Sequence, residues 1–242
     1  MPAVLVHGVP DTFRLWDALR AQLSRPDVVT PALPGFGAPL PEGFDASKEA
    51  YADWLIGEIE AIGEPVDLVG HDWGSILVQR IVSVRPDLIR TWAAGSGPVD
   101  RQYVWHDMAQ MWQTPDVGEQ VMTAMDPAAL ASFLEVELQS ADLAQQCASR
   151  VDGPMKDCIL ALYRSAVNVG AEWADQVDTI TTPGLVLWGE SDAYVGPEYA
   201  RRLGERTGAR VVVFENTGHW WPVAQAEAAA RELETLWGSI PG

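Results

Sequence analysis

The chain has 242 residues, enough for one domain or for one domain that carries an insertion. Hydrophobic residues make up 48% and charged residues 21% of the chain, which excludes the disordered and collagen-like classes. The net charge of -18 would repel nucleic-acid phosphates and anionic lipid headgroups, so we expect neither nucleic acid nor a membrane as a partner.

Neither the first residues nor the cysteines indicate an exported protein. The segment MPAVLVHG has no basic flank and only a short apolar run, and no run in the chain reaches the roughly 18–20 apolar residues of a membrane span. Cys147 and Cys158 lack C-x-x-C spacing and predict neither a disulfide framework nor a zinc site. We therefore expect a cytoplasmic protein with two free thiols.

The predicted strands and helices alternate along most of the chain. Short apolar runs bounded by turn residues predict strands at Ala3–Val6, Val28–Thr30, Val66–Val69, Thr91–Ala94, Leu185–Trp188 and Val211–Phe214. Stretches with a helical period lie between them, at Arg14–Leu23, Glu49–Ile62, Ile76–Val84, Tyr199–Glu205 and Gln225–Trp237. This alternation predicts an α/β protein whose mainly parallel sheet is covered by helices on both faces.

One region interrupts the alternation. Between the fourth and fifth predicted strands the sequence has helical patterns, such as Pro127–Leu138 and Lys156–Val169, but no convincing strand pattern. We expect an all-helical insertion that lies over the carboxyl ends of the strands as a lid. The predicted domains are a core formed by residues 1–99 and 176–242 and a lid formed by residues 100–175.

The segment LVGHDWGSIL, residues 68–77, contains the first candidate for chemistry. Gly70 and Gly74 bracket Asp72, directly after an apolar strand pattern and directly before an apolar helix pattern. This context is typical of a nucleophile elbow, in which a tight turn lifts the central side chain above the sheet. The spacing alone is weak evidence, because an aspartate at this position could simply cap the helix.

Two further candidates follow later predicted strands. Asp192 follows the fifth strand in LVLWGESDAYVG, and His219 follows the sixth in VVVFENTGHWW. A nucleophile, an acid and a histidine in this order, all at carboxyl ends of parallel strands, would meet at one edge of the sheet. Taken singly, Asp192 could be a turn residue and His219 a surface histidine, so the prediction depends on the three occurring together.

The segment VLVHGVPDTFRLW predicts a loop that binds an oxyanion. Val9 follows a strand that ends in His7 and Gly8 and would supply one backbone N–H, while Trp73, directly after Asp72, would supply the second. The four histidines of the chain show no metal-ligand spacing, and the two beside glycine turns are better explained as loop anchors. We therefore predict neither a metal nor a cofactor.

Five segments, HGVPD, LPGFG, GHDWGS, LVLWGESD and TGHWW, together resemble the α/β-hydrolase superfamily in the branch of epoxide hydrolases and haloalkane dehalogenases. The resemblance spans nearly the whole chain and implies the α/β-hydrolase fold with a helical lid. Members usually carry two more strands before the HG strand, so we expect a sheet of about six strands that lacks them. The new sheet edge would need protection by Pro2, by charge or by a second copy in a homodimer.

An aspartate at the elbow indicates the type of reaction. A carboxylate is ionised at neutral pH, and its attack on a saturated carbon gives an alkyl ester that a histidine-activated water can hydrolyse. The resemblance implies that Asp72 is the nucleophile, that His219 activates the water and that Asp192 orients the imidazole. Asp100 is the alternative acid, because some dehalogenases place this residue after the preceding strand.

The leaving group separates the two activities of this branch. An epoxide opens to an alkoxide that needs a donor such as a tyrosine hydroxyl, whereas a halide needs only N–H donors such as indoles. The segment LYRSAVNVGAEW resembles the epoxide-hydrolase segment that supplies such a hydroxyl, which implies that Tyr163 is the donor. The usual first lid tyrosine falls on Met108, and Tyr103 could substitute for it.

The dehalogenase interpretation uses Trp73 with a lid tryptophan as a halide-binding pair, although many dehalogenases carry asparagine at the position of Val9.

The predicted substrate-binding residues are Tyr103, Trp105, Met108, Trp112 and Trp220. We favour hydrolysis of a small apolar epoxide to a vicinal diol, with dehalogenation by the same triad as the alternative. A serine esterase, for which no G-x-S-x-G is present, and an inactive binding protein are more remote.

Overall fold

One parallel sheet organises the protein. The computed structural model describes residues 1–138 and 140–240; residues 139, 241 and 242, which fall in the predicted lid and core ranges, lie outside the described residues. The strands are β1 (Ala3–Val6), β2 (Val28–Val29), β3 (Val66–His71), β4 (Ile89–Gly95), β5 (Gly184–Gly189) and β6 (Arg210–Phe214). They lie in the order β2-β1-β3-β4-β5-β6, all parallel, which confirms the six-stranded sheet expected from the sequence.

Helices cover both faces of the sheet. They are α1 (Asp17–Arg20), α2 (Lys48–Ile62), α3 (Trp73–Val84), α10 (Glu198–Thr207), α11 (Trp221–Ala224) and α12 (Ala226–Ser239). Val4 and Val6 of β1 join an apolar core with α2, α3 and α10, whereas Ala3 and Leu5 join another with α1, α11 and α12. Because successive strand residues point to opposite faces, both of which are buried in the central strands, most of the strand residues are apolar.

Between β4 and β5 the described residues form helices and their connections. These helices are α4 (Asp107–Gln113), α5 (Val117–Ala124), α6 (Pro127–Leu138), α7 (Ala141–Ala148), α8 (Gly153–Ser165) and α9 (Val169–Val177). The segment packs onto the core through α9 against α3 and α8 against α2. Within the described part of the chain, no helix combines the length and the apolar character required to cross a bilayer.

The helix predicted at Arg14–Leu23 is wrong in extent. A 3-10 turn at Phe13–Trp16 runs into α1, which ends at Arg20. Leu15, Trp16 and Leu19 are buried and produce the helical pattern that the prediction used. The chain nevertheless leaves the helix early, because it must reach the edge strand β2 within a few residues.

The single helix predicted at Lys156–Val169 is divided in the structure between α8 and α9. Lys48, at the start of α2, accounts for the position of the break. Its backbone N–H donates to Oγ of Ser165 at 2.8 Å, and its Nζ donates to the carbonyl oxygen of Ser165 at 2.7 Å. A cation that binds the last carbonyl groups of a helix satisfies them and stabilises the end of the helix there.

Candidate active site

Asp72 lies in the sharp turn between β3 and α3, with φ +54° and ψ -121°. A positive φ is uncommon for a residue other than glycine, because it strains the backbone. Contacts with the surrounding structure must therefore hold Asp72 in this conformation. Gly70 and Gly74 permit the turn, because a Cβ on either one would overlap a carbonyl oxygen of the neighbouring backbone. Asp72 occupies the N-cap position of α3, but its side chain makes no capping hydrogen bond to the helix, so capping does not account for the carboxylate.

Backbone N–H groups hold the Asp72 carboxylate. Val9 N–H donates to its Oδ1 at 2.7 Å, as expected for one half of an oxyanion-binding pair. Burial raises the pKa of Asp72 to about 6, against the opposing effects of the charge on His219 and of the hydrogen bonds from the Val9 and Trp73 N–H groups. The carboxylate is therefore ionised at neutral pH and lies beside two N–H donors.

His219 lies between two carboxylates at the carboxyl edge of the sheet. Its Nδ1 is 2.9 Å from Oδ2 of Asp192, and its Nε2 is 3.7 Å from Oδ2 of Asp72. Burial acts to lower the pKa of His219, but the charge and hydrogen bond of Asp192, together with the charge of Asp72, raise it to about 9. The three residues predicted from separate strand ends are thus brought together in the order required for a nucleophile, a base and an orienting acid.

Asp192 is held rigidly by its own loop. Its Oδ1 accepts hydrogen bonds from the backbone N–H groups of Tyr194 and Val195, each at 3.0 Å. The structure does not bring the alternative acid, Asp100, to the histidine. The Asp100 carboxylate is buried and paired with Arg202 at 2.8 Å, with Arg206 nearby. Asp192 is therefore the acid that geometry supports.

The histidines beside the glycine turns anchor loops, as the sequence indicated. Nδ1 of His7 lies 2.8 Å from the carbonyl oxygen of Gly8, and its Nε2 accepts from the backbone N–H of Leu33 at 3.1 Å. Nε2 of His71 lies 2.9 Å from the carbonyl oxygen of His219. His71 thus fixes the backbone of the loop that presents the His219 imidazole.

A cavity of about 610 Å³ opens above Asp72 and His219. Tyr163 lines this cavity. So do all five predicted substrate-binding residues, which are Tyr103, Trp105, Met108, Trp112 and Trp220. The Trp105 indole N–H donates to the carbonyl oxygen of Ala166 at 3.1 Å, so it is not available to a ligand. Trp73 is fully buried behind this wall, where it stacks on Trp105 and packs against the edge of Tyr163.

Sequence reasoning missed three aromatic residues of the cavity wall: Tyr194, His106 and Phe133. The Tyr194 ring lies 5.1 Å from the His219 ring, and the His106 ring lies 5.2 Å from that of Tyr194, both as centroid distances. The position of Tyr194 two residues after Asp192 was a usable signal, since the loop that holds the acid also borders the cavity. No pattern in the sequence distinguished His106.

Asp11 is a third buried carboxyl group close to the site. Its Oδ2 accepts a hydrogen bond from the Trp220 indole N–H at 3.1 Å, and its side chain is only 2% exposed. Burial and the negative charge of Asp72 raise the pKa of Asp11 to about 7, against the opposing effects of the Trp220 hydrogen bond and the His219 charge. The motif HGVPD contained this residue, but nothing in the sequence showed that its carboxyl group is buried.

The raised pKa of Asp11 predicts a pH-dependent loss of stability. Between about pH 4 and pH 7 the folded protein holds a proton on Asp11 that the unfolded chain has released, so the free energy of unfolding falls as the pH rises. Asp11→Asn keeps an acceptor for Trp220 and cannot ionise. We therefore compare the free energies of unfolding of the variant and of the natural protein. The difference, variant minus natural protein, is expected to increase by roughly 2–4 kcal/mol from pH 4 to pH 8. Urea unfolding across this range measures the difference, and parallel curves for the two proteins would contradict it.

Comparisons with known proteins agree with this geometry at the level of the family. Residues 3–232 match the family model described as the alpha/beta hydrolase family. The chain is 24% identical over 247 residues to the (E)-2-((N-methylformamido)methylene)succinate hydrolase of Acinetobacter baylyi, covering 99% of this chain and 91% of that protein. It is 25% identical over 252 residues to epoxide hydrolase 4 of Mus musculus, covering 90% of this chain and 67% of that protein.

A solved haloalkane dehalogenase from Bradyrhizobium elkani is similar in structure, with a TM-score of 0.78 and 22% identity over 98% of this chain and 91% of that one. Identity at this level supports the shared fold and does not extend to the substrate. The family match covers nearly the whole chain, and the strand order and the elbow turn agree with it. The chain belongs to the alpha/beta hydrolase family.

Proposed function

We propose that this alpha/beta hydrolase opens small apolar epoxides through an ester on Asp72 and releases vicinal diols. Asp72 attacks a ring carbon, and the ring oxygen takes a proton from Tyr163. His219, oriented by Asp192, then removes a proton from a water that adds to the ester carbonyl carbon. The bond from that carbon to the alkyl oxygen breaks, and the alkyl oxygen leaves with the proton from His219. The Asp72 carboxyl group that results returns its remaining proton to the Tyr163 phenolate, which restores both residues.

The N–H groups of Val9 and Trp73 support the second half of this cycle. They already bind the Asp72 carboxylate, so they lie beside the oxygen that becomes negative when water adds to the ester. Donors that are fixed before the reaction stabilise such an oxyanion without reorganisation, and one donor is typically worth about 3–4 kcal/mol of barrier.

The tyrosine hydroxyls carry the proposal of epoxide opening. The chain has five tyrosines. Tyr51 and Tyr199 donate their hydroxyls to backbone carbonyl oxygens, of Pro34 and Gln102. The other three line the cavity, and none of their hydroxyls donates to an acceptor among the described residues: Tyr103, Tyr163 and Tyr194.

Tyr163 is the one of these three donors that the resemblance to epoxide hydrolases implies. Its ring is buried, and burial together with the nearby charge of Asp72 raises the pKa of its hydroxyl well above the ordinary value. Burial and the charge of Asp72 act in the same direction on the pKa of Tyr103. Both hydroxyls therefore remain protonated at neutral pH, and each can give a hydrogen bond or a proton to the oxygen of an opening ring.

The rest of the wall supports an apolar substrate. The lining from α5, α6 and the connection between them includes Val121, Met125, Leu130 and Phe133, and no lysine or arginine is among the described lining residues. A succinate derivative, which the name of the Acinetobacter relative specifies, would find no lysine or arginine on this wall to pair with its carboxylates. We further propose that residues 100–175 act as the lid, since α4, α5, α6 and α8 all contribute to the wall.

Haloalkane dehalogenation is the alternative, and one observation favours it. The buried indole N–H groups of Trp73 and Trp112 have no acceptor among the described residues, and Trp112 lines the cavity. Two such donors could bind a departing halide. Turnover of a panel of terminal epoxides and haloalkanes, followed as diol and as halide ion, decides between the two functions.

Removal of one hydroxyl group tests the epoxide mechanism. Tyr163→Phe is expected to lower kcat for epoxides by about 100-fold, because general acid catalysis typically contributes at least this factor and Tyr103 remains. Tyr199→Phe removes a hydroxyl that points to Gln102 outside the cavity and is expected to leave kcat unchanged. Steady-state kinetics measure both variants, and equal rates for Tyr163→Phe and the natural protein would exclude Tyr163 as the donor.

A further inference from the structure

His106 stands on the cavity wall at the start of α4. Its Nδ1 accepts a hydrogen bond from the backbone N–H of Ala109 at 3.3 Å, so the imidazole caps the helix. An accepting Nδ1 carries no proton, which places the proton of the neutral ring on Nε2. Burial and the positive charge of His219 lower the pKa of His106 to about 4, so the ring is neutral at physiological pH.

The orientation of this ring is fixed, and its remaining donor is free. The cap holds one edge, and the ring packs edge-to-face against Tyr194 at 5.2 Å and Trp112 at 6.4 Å between centroids. Nε2–H has no hydrogen-bond acceptor in the protein among residues 1–138 and 140–240. A fixed donor on a mainly apolar wall favours a ligand that presents an acceptor there.

His106 is separated from the catalytic histidine by the Tyr194 ring, which touches both. Tyr163 and Tyr103 are the hydroxyls beside the Asp72 charge, so they serve the epoxide oxygen. We infer that His106 donates from Nε2 to a second oxygen on the substrate, an ether, carbonyl or hydroxyl oxygen in its side chain. This specificity-determining role rests on the proposed function and narrows its substrates to oxygenated apolar epoxides.

Equilibrium binding of unreactive ligands tests the inference without turnover. The ligands are butylbenzene and three ethers, each obtained by replacing one of its three CH₂ groups by oxygen. All four have nearly the same shape, and each ether differs from butylbenzene by one hydrogen-bond acceptor. His106→Asn keeps a side-chain oxygen for the helix cap but has no donor at the position of Nε2. For at least one ether, the variant is expected to lose about fivefold in affinity relative to its affinity for butylbenzene, the usual contribution of one hydrogen bond.

Controls separate this donor from packing and from folding. Val104→Ala changes an exposed residue two positions before His106, outside the cavity, and should leave every ether-to-hydrocarbon ratio unchanged. His106→Ser, a second cap-preserving variant, should lose the same preference as His106→Asn. The inference is overturned if the ratios of the His106 variants equal those of the natural protein, or if Val104→Ala lowers them equally. Because binding is measured without catalysis, a protein that hydrolyses no epoxide still gives a decisive result.

Discussion

Asp72→Asn is expected to lower kcat by roughly 10⁴-fold or more, because the amide cannot displace an oxygen or a halide from carbon. Asparagine has nearly the same shape, can accept the hydrogen bond from Val9 N–H and tolerates the positive φ at this turn. The loss would therefore report on the carboxylate and not on the fold. Steady-state kinetics on the best substrate of the panel, with thermal unfolding as a check on folding, measure the effect.

Asp116→Asn is the matched control for this substitution. Asp116 also has a positive φ, +65°, but is exposed and outside the cavity, so we expect its replacement to leave kcat unchanged. A single turnover of the natural protein in heavy-oxygen water gives an independent measure. The label should enter the peptide that contains Asp72, since water adds to the ester carbonyl. Label that enters only the product, or an active Asp72→Asn protein, would remove the ester from the mechanism.

His219→Gln is expected to stop the cycle at the ester. The substitution leaves Asp72 free to attack but removes the base, so ester hydrolysis should fall by roughly 10²–10⁴-fold while the ester forms in the first turnover. Intact-protein mass spectrometry measures the adduct. An epoxide adds its whole mass to the protein, because no atom leaves, whereas a haloalkane adds its mass minus that of the hydrogen halide.

The charges around His219 bear on which step of the proposed cycle uses it as a base. In the free protein the carboxylates of Asp192 and Asp72 raise the pKa of His219 to about 9, which leaves the imidazole protonated at neutral pH. Formation of the proposed ester would remove the charge of Asp72 and lower the pKa of His219. This change favours the neutral imidazole in the second step, so replacing His219 should affect ester hydrolysis more than ester formation.

A double variant controls the trapping experiment. His219→Gln combined with Asp72→Asn should form no adduct with any compound in the panel. Adducts that persist in the double variant would place the alkylated side chain elsewhere, for example on Cys147 or Cys158, the two free cysteines. An adduct formed only from haloalkanes would support dehalogenation in place of epoxide hydrolysis.

Local patterns were sufficient for the strands and for the three groups at their ends. A strand buried on both faces is mostly apolar, so each strand was visible as a short apolar run, and the side chain after it could be placed at the carboxyl edge. The same local reasoning failed at Arg14–Leu23, because the length of that helix depends on where β2 lies in space. It also failed at the break between α8 and α9, where Lys48 binds from a distant part of the chain.

The sequence by itself determined the parallel α/β architecture, the elbow at Asp72 and the order of Asp192 and His219, since each depends on neighbouring residues. Only the tertiary structure decided between Asp192 and Asp100, because the pairing of Asp100 with Arg202 joins residues far apart in the chain. It also decided which tyrosines line the cavity and that the Asp11 carboxyl group is buried. Burial and the direction of a side chain depend on every element packed around it, and no single segment of sequence contains that information.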